Sequence, residues 1–236
     1  PYLMDKGHEV YGIDNLSRCD RKRLELLRKQ GVEVSIADIR DYKRMKKIML
    51  KIRPKAIIHL AALINVEESF EKPQLYEEVN AMGTLNVVLA ANEAKVERFI
   101  YISTSAVYGN PTYLPIDEKH PTEPISPYGI SKLTGEHYVK TLFKGERHAI
   151  IMRLFNAYGP GQNPEYAGVV TKFIERVRRG QPPIIYGDGE QTRDFIHITD
   201  IVKAIEKAIN IEVDHNIILN IGSGKATKIK QLAQLI

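Results

Sequence analysis

Cysteine is nearly missing: Cys19 stands alone, so no disulfide can close within the chain, and a reducing cytoplasm is the expected compartment. Long apolar runs are missing too. Nothing approaches the ~20 consecutive apolar residues that a membrane span requires. The first residues, Pro1 to His8, lack the basic start and apolar middle of a secretory signal. No CxxC or HxxxH spacing points to a metal, and His59 and His197 are expected to be structural. No G-x-S-x-G turn supports a hydrolase nucleophile. Internal repeats and low-complexity tracts are absent. The net charge is +5, but the basic residues are dispersed and mixed with acids, as in Lys43-Arg44-Met45-Lys46-Lys47 after Asp41. No nucleic-acid motif accompanies them, so neither nucleic acid nor membrane is an expected partner. A mild positive bias suits an anionic small substrate.

What is present is a chain of 236 residues, 43% hydrophobic, long enough for a sizeable core. Short β-rich runs alternate with helical patterns. Strands are expected at 9–13, 32–37, 55–60, 98–103 and 149–154. Helices are expected at 21–30, 42–52, 73–94 and 126–142, with Pro127 where a first helical turn tolerates it. Near-continuous apolar strands separated by helices predict an α/β fold with a Rossmann-like, doubly wound parallel sheet. Ligands then bind beyond the carboxyl ends of the strands. After residue 156 the texture changes. Gly159-Pro160-Gly161 and Pro164 suggest a loop. A helix is expected over 168–179, a short strand at 184–186, a strand at 193–198, and a helix capped by Thr199 with Asp200 in its first turn. The expected division is a dinucleotide-binding domain over 1–156 and a smaller α/β substrate region over 157–236. The chain opens at Pro1 in helical texture and stops at Ile236 inside an apolar-periodic segment, so both ends are expected to be truncated.

A dinucleotide site needs a glycine-rich turn after its first strand. None occurs here; it is expected upstream of Pro1. Asp14, ending the strand at 9–13, can accept the hydroxyl hydrogens of an adenosine ribose, or simply start a turn with Asn15. An acid there favours NAD over NADP, although Arg18 lies four residues on. Asp38 can meet an adenine amino group or cap the next helix.

Tyr128 and Lys132 stand four apart on the helix at 126–142 and so share a face. A phenol is a poor base near neutral pH. A neighbouring ammonium and a positively charged nicotinamide would lower its pKa. Tyr128 could then take the proton of a sugar hydroxyl, with Thr104 bonded to the same hydroxyl. The Tyr-x-x-x-Lys spacing alone is weak; it also fits a solvated amphipathic helix. Its value lies in the order: a strand, then Ser103-Thr104-Ser105, a loop, and Pro127-Tyr128-Gly129 opening a helix.

With GHEVYGIDNLS, ADIRD, IIHLAA, VNAMGTLNVVLAA, YISTSAVYG, PYGISK, MRLFNAYGPGQ, YGDGEQTRDFIHITDIV and LNIGSG in this order, the chain resembles the extended short-chain dehydrogenase/reductase family, most of all its UDP-glucose 4-epimerase branch. The resemblance implies NAD as cofactor, a UDP-sugar as substrate and a homodimer built on the two long helices. It places Asp14 and Asn15 at the adenosine ribose and Asp38 and Ile39 at the adenine. Leu60, Ala61, Ala62, Asn80 and Ser103 would lie along the cofactor cleft. Thr104, Tyr128 and Lys132 take the catalytic positions, with Lys132 on the nicotinamide ribose and Phe155 beside the nicotinamide. Asn156, Arg193 and Tyr186 would meet the nucleotide sugar, Arg193 at the pyrophosphate and Tyr186 at the uridine. One position departs: some epimerases carry a lysine where this chain has Ile64.

Related 4,6-dehydratases need an acid and a base, an Asp-Glu pair directly after the catalytic threonine. Here those positions are Ser105-Ala106, which disfavours loss of water. The GDP-fucose synthase branch usually has a cysteine in that loop, and Cys19 is far off in sequence. What remains is 4-epimerisation through a 4-keto sugar. A UDP-glucuronate epimerase or decarboxylase, or a non-catalytic NAD-binding regulator, stands as the alternative.

Overall fold

The alternation of strand and helix is realised in a computed structural model that describes residues 1–19, 21–143, 147–163 and 168–236. The chain begins with helix α1 (Tyr2–Asp5), closed by Gly7 at φ +84°. Strand β1 (Tyr11–Asp14), helix α2 (Arg21–Lys29), strand β2 (Glu33–Ile36), helix α3 (Tyr42–Ile52) and strand β3 (Ala56–His59) follow. Helices α4 (Val66–Glu71) and α5 (Pro73–Tyr76) lead into a π-helical segment (Glu77–Met82) and helix α6 (Gly83–Glu93). The single helix expected at 73–94 is therefore interrupted by a widened turn. Strand β4 (Arg98–Thr104) runs into a 3-10 turn (Ser105–Tyr108), helix α7 (Pro127–Leu142) and strand β5 (His148–Leu154). Beyond it come β6 (Asn156–Tyr158), α8 (Val169–Arg178), β7 (Thr192–His197), α9 (Ile198–Asn210), β8 (Ile217–Ile221), β9 (Ala226–Lys228) and α10 (Ile229–Leu235).

The main sheet is parallel, in the order β3-β4-β5-β8, and β1-β2 form a second parallel pair. Alternation along β4 decides which face each side chain covers. Phe99 and Tyr101 point to a core with α3, α6 and α7, built on Met45, Val88, Val139 and Phe143. Ile100 and Ile102 join Ile150 and Met152 on the opposite face, against Ile201 and Ile205 of α9. Helices on both faces explain why β4 and β5 read as unbroken apolar runs.

Three expectations are corrected. Residues 184–186 form no strand; Ile184, Ile185 and Tyr186 are all exposed, and no strand among the described residues pairs with them. The helix after β7 is capped by His197, whose side chain accepts from Thr199 N–H, so Thr199 already lies inside α9. The cap of α3 is Asp41, accepting from Arg44 N–H at 3.0 Å, and not Asp38. The segment 157–236 also returns to the main sheet: β8 pairs with β5, and α9 covers one of its faces. Its remaining strands make a small sheet, β6-β7-β9. Pro164, expected in a loop, lies outside the described residues.

Candidate active site

The carboxyl ends of β4 and β5 and the start of α7 meet at one place. Ser126 caps α7 by accepting the Gly129 N–H at 3.1 Å, and Pro127 opens the helix without leaving a donor unpaired. This puts Tyr128 in the first turn and Lys132 one turn further, both buried. Thr104 ends β4, and its hydroxyl oxygen accepts the Ala106 N–H at 3.2 Å, which turns the chain into the 3-10 segment. The Tyr128 phenol lies beside the Thr104 hydroxyl. The Tyr128 ring packs edge-on against Tyr76, centroids 6.4 Å apart.

Burial pushes the Tyr128 phenol up, and the Thr104 hydrogen bond pulls it partly back. The expected lowering requires a bound nicotinamide as well as Lys132. The Lys132 ammonium lies over the Tyr101 ring, 4.2 Å from its centroid. Burial pulls Lys132 down to about 7, against an upward pull from Glu136.

Helix α7 sits unusually close to β4. The Tyr101 hydroxyl donates to the Lys132 carbonyl at 3.2 Å. A Cβ on Gly135 would lie 2.2 Å from that hydroxyl oxygen, and the Tyr101 ring is fully buried and cannot retreat. Gly135→Ala is therefore expected to destabilise the fold by roughly 1–3 kcal/mol through overpacking. An unchanged urea midpoint would show that α7 can move off β4 freely.

Asn80 occupies the π-helical segment, a distortion frequent at functional sites. Its amide brackets Leu63, accepting the N–H at 2.8 Å and donating to the C=O at 2.9 Å, and donates to Ser131 Oγ at 3.0 Å. Asn80 thus ties the segment after β3 to α7. Ser103, expected along the cofactor cleft, donates its hydroxyl to Glu136 at 2.5 Å beneath the site.

The residues expected around adenosine form a second group at the ends of β1 and β2. Asp14 accepts the Leu16 N–H at 2.6 Å with one oxygen, and the other carries no hydrogen bond among the described residues. Asn15 accepts from Ser17 and donates to Asp38 at 2.9 Å. Asp38 is also clasped by the Arg40 guanidinium, which holds its carboxyl well below the usual range. The Ile39 side chain is buried in the core. Leu60 and Ala61, beyond β3, are exposed and Ala62 is half-buried. An exposed carboxylate with a spare acceptor and a short apolar ledge fit a dinucleotide lying along the strand ends. Asp38 fits less simply, since both its oxygens are already engaged.

Phe155 and Asn156 follow β5, in register with the end of β4, where Thr104 pairs with Leu154. Asn156 donates to the Asp194 carbonyl at 2.9 Å. Arg193 and Tyr186 are exposed, and no hydrogen bond among the described residues joins either to the Thr104–Tyr128 group. Three residues escaped the sequence reading. The carboxylate of Asp194 accepts from Ser223 and Gly224 and so holds the turn after β8. Glu136 and Arg153 form a buried ion pair at 2.6 Å. An arginine inside the apolar run AIIMRLF, and an acid one turn beyond Lys132, were the available signals.

Comparison with known proteins agrees with this geometry. A Methanocaldococcus jannaschii protein named as a candidate UDP-glucose 4-epimerase is 39% identical over 238 residues, covering 99% of this chain and 75% of that protein. A human dTDP-D-glucose 4,6-dehydratase is 34% identical over 231 residues, covering 97% and 65%. The crystal structure of the Thermotoga maritima UDP-glucose 4-epimerase with UDP-glucose superposes with a TM-score of 0.89 at 32% identity, covering 99% of this chain and 75% of that one. The profile of the NAD-dependent epimerase/dehydratase family matches residues 1–222. The chain belongs to that family.

Proposed function

We propose that this chain is an NAD-dependent 4-epimerase of a UDP-sugar of the UDP-glucose/UDP-galactose type, with Tyr128 as the base. The observation that carries the reading is the placement of buried Tyr128 and Lys132 on α7 beside Thr104 at the end of β4, followed by Ser105-Ala106. The chemistry that NAD supplies when bound is reversible uptake of a hydride. Tyr128 takes the proton of the sugar's 4-hydroxyl, and Thr104 holds that hydroxyl in line. Lys132 holds the nicotinamide ribose, and Asp14 with Asn15 the adenosine ribose. Leu60, Ala61, Ala62 and Phe155 line the cofactor's path, and Asn80 keeps the segment after β3 seated. Asn156, Arg193 and Tyr186 receive the nucleotide sugar, largely from within 157–236, while 1–156 serves the cofactor.

Identity alone does not choose the reaction, because dehydratase and epimerase relatives are similarly close. The residues after Thr104 do choose. Loss of water needs a second acid and base there. Ser105 and Ala106 exchange no proton near neutral pH, and the Ala106 N–H is spent on Thr104. Returning the hydride to the other face of a 4-keto sugar needs neither.

The test is incubation with UDP-glucose, UDP-galactose and their N-acetyl forms, following interconversion without added NAD. Turnover of at least one pair is expected. Accumulation of a 4-keto-6-deoxy sugar would replace this reading with dehydration.

A homodimer through α6 and α7 belongs to the same proposal. Met82, at the end of the π-helical segment, Leu89 of α6 and Ile130 of α7 expose apolar surface there. A monomer mass by light scattering at micromolar concentration would reject it.

A further inference from the structure

Beneath the Thr104–Tyr128 pair lies a charge cluster that the reaction as described does not use. Glu136 stands one turn beyond Lys132 and two beyond Tyr128 on α7, and it is buried. Its carboxylate receives Ser103 Oγ from β4 at 2.5 Å. It also receives Nε and Nη2 of Arg153 from β5, at 3.0 and 2.6 Å. The Arg153 guanidinium lies over the Tyr108 ring, 4.8 Å from its centroid, and the Tyr108 hydroxyl donates to Asn220 of β8 at 2.6 Å. One network thus joins α7, the ends of β4 and β5, the 3-10 turn and β8.

A buried ion pair is poor value as a stabiliser, because desolvation cancels most of its attraction. Its position suggests another use. Ser103 precedes Thr104, and Arg153 stands two residues before Phe155. A clamp on both therefore sets where α7 meets the two strand ends that carry the site. We propose that Glu136, gripped by Ser103 and Arg153, is a positioning residue for the reaction, seating α7, and with it Lys132 one turn away, against β4 and β5. The inference rests on the reading of Tyr128, Lys132 and Thr104 given above.

Lys132, four residues from Glu136 on the same helix, serves as the readout of that seating. Tyr101 faces it from β4 and is neutral, its phenol pushed far up by burial. His59 faces it from β3 and is neutral, its imidazole pulled down to about 3. Tyr128, on its own helix, is likewise pushed up. Glu136 is the acid among the described residues that draws Lys132 upward against burial.

The test uses the protein labelled with 15N-lysine, with and without NAD. The titration of Lys132 Nζ is read by NMR, and the pH profile of epimerase turnover is read in parallel. In Glu136→Gln the Lys132 midpoint is expected to fall by roughly one pH unit, a tenfold loss of proton affinity. The alkaline limb of turnover should move down by the same amount. Should the single variant fail to fold, Glu136→Gln with Arg153→Gln removes both charges and leaves a neutral hydrogen-bonding pair. It predicts the same direction. Glu136→Asp should restore most of the midpoint while kcat stays reduced, because the shorter side chain keeps the charge and loosens the clamp. A Lys132 midpoint unmoved in a folded Gln variant overturns the inference, even if turnover falls. The midpoint needs no turnover, so a failure of the catalytic reading, seen as Tyr128→Phe at full rate, is registered separately.

Discussion

Replacing Tyr128 by phenylalanine is expected to lower epimerase turnover by about 10²–10⁴ while leaving the fold intact. The first half follows from what the hydroxyl does. It lies beside Thr104 at the end of β4, and removing it removes the proton acceptor from the site. The second half follows from what holds the ring. Tyr128 packs with Leu63 and edge-on against Tyr76, and phenylalanine keeps the ring. Only the bond to Thr104 is lost, a change of roughly 1 kcal/mol. The pairing of outcomes matters more than either alone. A large loss of turnover with an unchanged melting transition assigns the base. A loss of both would mean that the hydroxyl holds the fold, and an undiminished rate would end the assignment.

The regular elements were largely legible. Helix α3 occupies Tyr42–Ile52 as its apolar spacing required, and α7 starts after Ser126 because a serine cap followed by proline leaves few other readings. The apolar runs at 98–104 and 148–154 announced strands covered on both faces. Residues 184–186 show the limit of that signal. Ile184 and Ile185 favour strands locally, but a strand exists only where a partner lies alongside, and none does here. Caps were less legible because the choice depends on backbone geometry. Asp38 and Asp41 are equally able acceptors, and the one at the helix entrance is Asp41. The family motifs placed Thr104 and Tyr128 in one site, where the structure brings them together. They did not reveal the pairing of Glu136 with Arg153, since an arginine in an apolar run and an acid one turn beyond Lys132 do not say that the two meet across elements. Nor could they show that burial pushes the Tyr128 phenol up. That shift depends on how deep the ring lies, which sequence spacing does not encode.

Lys132→Met should abolish turnover yet stabilise the cofactor-free chain, most strongly in acid. Lys132 is 3% exposed, and burial has pulled its pKa to about 7 from an unfolded value near 10.5. Below pH 7 the ammonium is charged in both states, and folding must bury the charge. The full shift applies there, on the order of 4 kcal/mol. Between pH 7 and 10.5 the unfolded chain binds the extra proton, so wild-type stability rises with pH. Above 10.5 lysine is neutral in both states, and the burden is gone. Methionine fills a similar volume and carries no charge at any pH, though it gives up the contact with the Tyr101 ring. The net gain should therefore be about 2–4 kcal/mol at pH 6, shrinking steadily toward pH 10. Urea midpoints of both proteins across pH 6–10 read this directly. Parallel curves would mean that Lys132 titrates where an exposed lysine does, and that the buried ammonium over Tyr101 is not the state that folds.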